Sequence, residues 1–146
     1  MSIPDFTVVV ALDRGHLEQF RVVFPTWVAF RPELLTRPWI VISDDAESNE
    51  WWHERLAFLH EHIPGGYLRI PWDWEPDLPQ RERMLTGLVR AAEWVRTPYM
   101  LKLDTDCLAS RGGEWIKPEW FDRRKSMLNY AAASMPWSAE PVLIAS

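Results

Sequence analysis

Apolar and polar positions alternate in blocks along this chain. Phe6 to Leu12 is a continuous apolar, β-branched run, which predicts a strand buried on both faces. Leu17, Phe20, Val23 and Phe24 then recur on one side of a predicted helix over residues 16–24, with Pro25 expected to end or kink it. Trp39-Ile40-Val41-Ile42 predicts a second buried strand, running into Ser43-Asp44-Asp45. Residues 48–62 predict a second helix. Ser48 is its N-cap, and Trp52, Leu56, Leu59 and Ile63 fall at helical spacing. Gly65-Gly66 punctuates, and Tyr67 to Ile70 predicts a short third strand. A Pro-broken loop, PWDWEPDLP, leads to the clearest helix, residues 80–96, with Met84, Leu88, Ala92 and Val95 on its core side. Thr97-Pro98 stops that helix, and Tyr99 to Leu103 predicts a fourth strand.

Strand and helix thus alternate through four strands, with helices long enough for crossovers. The pattern predicts an α/β domain with a mainly parallel sheet. From residue 110 the pattern weakens. Gly112-Gly113 and Pro118 read as loop, residues 119–130 as a short helix, and Pro141 to Ala145 as the opening of another strand. A strand with no follow-on suggests a fragment of a longer chain; an edge strand at a natural terminus is the other reading.

In parallel sheets ligands bind beyond the carboxyl ends of the strands. Three of the predicted strands end in acid: Asp13, Asp44 with Asp45, and Asp104 with Asp106. Two carboxylates one residue apart repel each other, and a divalent cation removes that difficulty. Oxygen ligands suit magnesium or manganese, with coordination positions left for water and phosphate.

Other readings of Asp104 and Asp106 compete. As an EF-hand loop, DTDCLASRGGEW places Leu108 fifth and Ala109 sixth, where the turn requires glycine. An apolar strand followed by D-x-D also suits a phosphatase of the haloacid dehalogenase type, but only forty residues follow Asp106 and that family's later motifs lie far downstream. The bland reading has the aspartates capping a turn by bonding backbone amides.

Composition narrows the classes. The formal net charge of −5 argues against a nucleic-acid partner, which calls for a basic stripe. A single cysteine, Cys107, excludes an internal disulfide framework and a cysteine zinc site, and fits a reducing, cytoplasmic location. The N-terminal stretch lacks the features of a signal peptide, and no apolar run approaches the roughly 20 residues of a membrane helix. The ten tryptophans read mainly as core. Trp72 and Trp74 alternate, so stacking on a sugar competes there with loop packing. His60 and His62 diverge by about 200° on a helix, which argues against a shared metal. His16 and His53 read as surface residues. Cys107 reads as a small residue packed at the strand end.

The stretch RERMLTGLVRAAEWVRTPYMLKLDTD, residues 81–106, resembles the central segment of GT-A-fold glycosyltransferases of the family 2-like kind. There, a helix carrying a basic residue runs into a strand ending in D-x-D. Ala11-Leu12-Asp13 and Asp44-Asp45 match that family's nucleotide half in order and spacing, over about residues 5–108. The resemblance implies a three-layer sandwich with a Rossmann-like sheet. It implies one domain over 1–146, with 4–109 as core and 110–146 as a partial acceptor-side region. It implies a UDP- or GDP-sugar donor, an acceptor hydroxyl, and manganese or magnesium. Asp106 would ligate the metal, and Asp104 would contact the ribose, or the metal through water. Asp45 or Asp44 would read base or ribose. Ala11, Leu12 and Asp13 would line the nucleotide pocket, and Arg83, with Arg81 as its competitor, would approach the phosphates. The catalytic base stays unassigned among Glu114, Glu119, Asp122 and Glu140. The alternative from another class is a non-catalytic nucleotide- or carbohydrate-binding module on the same sheet.

Overall fold

The computed structural model describes residues 2–72, 78–113, 116–118, 127–129 and 142–145. Its sheet has the order β3-β2-β1-β4-β6-β5. Strands β1 (Phe6–Leu12), β2 (Trp39–Asp44), β3 (Tyr67–Trp72) and β4 (Tyr99–Leu103) run parallel. Strand β6 (Val142–Ala145) pairs antiparallel with β4, and β5 (Met127–Asn129) antiparallel with β6. The expected α/β class with a mainly parallel sheet is what forms.

Helices cover both faces of the sheet, which explains the unbroken apolar strands. Phe6, Val8, Val10 and Leu12 of β1, with Trp39 and Val41 of β2 and Leu101 and Leu103 of β4, form one core. Against it pack α1 (Leu17–Phe30), α2 (Pro32–Leu35), α3 (Asn49–Arg55) and α4 (Ala57–His60) through Phe20, Phe24, Trp27, Leu34, Trp52 and Leu59. The alternate residues Val9, Ile40, Ile42 and Met100 face the other way. They pack on Trp72 and on Ala91 and Val95, in and just beyond α5 (Gln80–Trp94). Gly87 permits this packing: a Cβ there would lie 3.1 Å from the Trp72 ring. Phe20, Phe24, Trp27, Trp39 and Phe58 meet edge-on or tilted, with centroids 5.3–6.2 Å apart. Truncating one such buried ring costs about 3–5 kcal/mol.

Several boundaries differ from the sequence expectation. Pro25 lies inside α1 rather than at its end. Its position is exposed, so the Arg21 carbonyl, which lacks an N–H donor at Pro25, lies on the solvent side of the helix. The helix over 48–62 forms as two pieces broken at Leu56, although Ser48 does cap α3, accepting from the Trp51 N–H at 3.1 Å. Met127–Asn129 is a strand where a helix was expected, because its backbone pairs with β6. Trp74 and Glu114, Glu119, Asp122 and Glu140 lie outside the described residues.

The chain order fixes where a ligand can go. From β1 the chain moves outward to β2 and β3, then returns through α5 to β4 on the opposite side of β1. The carboxyl ends of β1 and β4 therefore flank a topological switch point, the usual crevice of an open parallel sheet.

Candidate functional site

The ends of β1 and β4 are staggered. Leu103, the last residue of β4, lies beside Val10, so Ala11 and Leu12 run on past the β4 ladder. Leu12 is fully buried in the core, backbone included; Ala11 is half-buried on the α5 side.

Asp13 follows directly. Its Oδ1 accepts from the His16 N–H at 2.9 Å, capping a 3-10 turn over Arg14–His16, and its Oδ2 lies 2.7 Å from His16 Nδ1. Asp44 ends β2. Its Oδ1 accepts from the Ala46 N–H at 3.0 Å, and its carbonyl accepts from Trp52 Nε1 at 2.6 Å. Asp45 is exposed in the turn beyond. Between these two strand ends Arg14 pairs with Glu47 at 2.7 Å. The Glu47 hydrogen bond and charge, with Asp44 adding to them, raise the Arg14 pKa.

The β4 end is built differently. Asp104, Thr105 and Asp106 turn immediately after Leu103, closed by a Cys107 N–H bond to the Asp104 carbonyl at 3.2 Å. Helix α1 holds this turn from behind. Trp27 Nε1 donates to the Cys107 carbonyl at 2.6 Å, and the Thr26 hydroxyl accepts from the Ala109 N–H at 3.0 Å. Thr105 is buried, Asp104 half-buried and Asp106 exposed. A carboxylate oxygen of Asp104, one of Asp106 and the Cys107 sulfur all lie within 4.8 Å of one another.

Lys102 was not singled out from the sequence, and Cys107 was read there as packing alone. Cys107 packs partly buried against the core as expected, and its sulfur also lies near the two carboxylates. Burial first, then the Asp106 charge, pushes its thiol up to about 11, against an opposing pull from Lys102. Lys102, a buried lysine in an otherwise apolar strand, forms an ion pair with Asp104. Its signal was the LKL pattern itself, because a charge inside a two-face-buried strand requires a partner.

The donor set suits a hard cation. Two carboxylates could hold magnesium or manganese, whereas a protonated thiol is a poor ligand for a soft metal. Arg83 is half-buried and Arg81 exposed, both in the first turns of α5. The β3–α5–β4 connection directs that end of α5 to the carboxyl rim of the sheet.

His60 and His62 diverge as expected: the His60 ring packs on Tyr67 at 4.9 Å and the His62 ring on Phe24 at 5.8 Å. Among the described residues, no helix is long and apolar enough to cross a membrane. No protein-family model matches the chain, and no curated protein matches it.

Proposed function

We propose that the chain binds a nucleoside-diphosphate sugar at the β1/β4 crevice and transfers its sugar to an acceptor hydroxyl. In this reading it is a divalent-metal-dependent glycosyltransferase with a three-layer GT-A-type fold in a reducing, cytoplasmic setting. The observation that carries the reading is the position of the Asp104/Asp106 cluster at the switch point of the sheet. The resemblance of residues 81–106 to the GT-A segment supports it independently.

Manganese or magnesium bound there would act as a Lewis acid and offset the charge that develops on the departing diphosphate. Asp106, on the exposed side of the turn, is the carboxylate free to reach it. Asp104 is held in place by Lys102 and serves the ribose or the ion through water. The half-buried Ala11 lies toward the base and ribose, with the buried Leu12 shaping the wall behind it. Asp13, Asp44 and Asp45 line the same rim. Arg83 approaches the phosphates from the start of α5.

Calorimetric titration of UDP, GDP and their sugars, with and without manganese, tests this proposal. Metal-dependent binding that disappears in Asp106→Ala is the expected result. Binding that ignores both metal and Asp106 would overturn it. Tight, metal-dependent binding with no sugar transfer and no donor hydrolysis would assign the chain to a non-catalytic binding module.

A further inference from the structure

Lys102 is an unusual choice for its position. Its side chain is 9% exposed and lies on the α5 face of β4, in line with Met100 and beside Val9. An apolar residue would pack there without cost, whereas an ammonium taken from water loses several kcal/mol unless it is paired. The pairing reaches both carboxylates: Lys102 forms an ion pair with Asp104 and interacts electrostatically with Asp106. Burial lowers the Lys102 pKa, and the Asp106 charge opposes that shift.

We infer that Lys102 is a built-in counter-ion that makes divalent-metal binding at Asp104/Asp106 depend on an accompanying diphosphate. The inference rests on the metal-dependent reading above. Two carboxylates and one ammonium leave a single net negative charge on the side chains of Lys102, Asp104 and Asp106. A bare divalent cation meets that reduced charge and the repulsion of Lys102. A cation that arrives with a nucleoside diphosphate brings the missing negative charge with it. Ion and nucleotide then strengthen each other's binding, and by linkage the effect is reciprocal. Lys102 is a positioning residue here: it acts through Asp104 and need not touch the donor.

The test is manganese titration of the full chain, with free ion read by electron paramagnetic resonance, alone and with UDP or GDP. Wild type should bind manganese alone weakly and gain on the order of 10-fold or more when the diphosphate is added. Lys102→Met should bind manganese alone on the order of 10-fold tighter and lose most of that gain. Lys102→Arg, which keeps the charge, should behave as wild type. A purely structural lysine would instead leave manganese affinity unchanged in Lys102→Met, or weaken it. Thermal melting checks that each variant is folded, and Lys102→Gln carries the same test if Lys102→Met is not. Equal manganese affinity of the folded charge-removed variant and wild type overturns the inference while leaving the proposed function standing. Wild-type nucleotide-sugar binding that ignores manganese removes the proposed metal dependence. By the same linkage it also removes the diphosphate dependence of manganese binding, and the inference falls with it.

Discussion

The two sides of the crevice put the same residue type to different use. Beyond β1 and β2, Asp13 and Asp44 direct carboxylate oxygens at backbone N–H groups two or three residues downstream. Those aspartates shape the loops they begin. Beyond β4, Asp104 and Asp106 converge with Cys107, and the charge they share is answered from inside the sheet by Lys102. Acid at a strand end therefore does not by itself mark a ligand site. What separates the two cases is the partner: backbone N–H groups of the carboxylate's own loop on one side, a buried ammonium and a second carboxylate on the other.

The largest expected effect falls on the β4 side. Asp106→Ala should weaken metal-dependent donor binding by on the order of 100-fold or more, whereas Asp45→Ala should change it several-fold at most. Equal losses in the two variants, read by calorimetry, would erase the distinction between the two rims.

Next comes the thiol. Burial and the Asp106 charge raise Cys107 from its ordinary 9.0 to about 11, so the thiolate appears only as pH rises through that value. Alkylation at pH 8 should be on the order of 100-fold slower than for an unperturbed thiol, and should keep rising with pH up to about 11. A plateau near pH 9 would show that the Cys107 environment is more open and less acidic than described.

Two indole donors sharpen the comparison further. Trp27 Nε1 holds the Cys107 carbonyl and Trp52 Nε1 holds the Asp44 carbonyl, each at 2.6 Å. Trp27→Phe and Trp52→Phe should each destabilise the fold by about 2 kcal/mol in urea denaturation, since each strands a backbone acceptor. Manganese affinity should fall only in Trp27→Phe, because that indole alone braces the β4 turn.

The smallest effect is at Asp13. Asp13→Ala removes an N-cap and should cost about 1 kcal/mol in thermal unfolding, with manganese affinity unchanged. A large loss of manganese binding there would move Asp13 from loop capping into the ion site.

Much of this was legible along the chain. Phe6–Leu12 and Trp39–Asp44 are strands because β-branched and apolar runs suit a sheet covered on both faces, and Tyr99–Leu103 follows the same rule with Lys102 as its exception. The acidic strand ends were equally plain. Pro25 was a misleading stop signal: it sits on the exposed side of α1, and the helix continues through it to Phe30. The break at Leu56 was hidden, because the apolar spacing persists across it: Trp52, Leu56 and Leu59 all reach the same core. Lys102 was readable as an anomaly, but its partner was not, because an extended strand does not reveal how a following turn folds back on it.

The sequence by itself determined the alternation of strand and helix and the placing of carboxylates just beyond strand ends, since both depend on local periodicity. Tertiary structure decided the order β3-β2-β1-β4, and with it the crevice between β1 and β4. It also decided which aspartates cap their own loops and which gather around Lys102. Those outcomes depend on contacts between residues far apart in the chain: Trp27 with Cys107, Thr26 with Ala109, and the β4 turn with the helix that braces it.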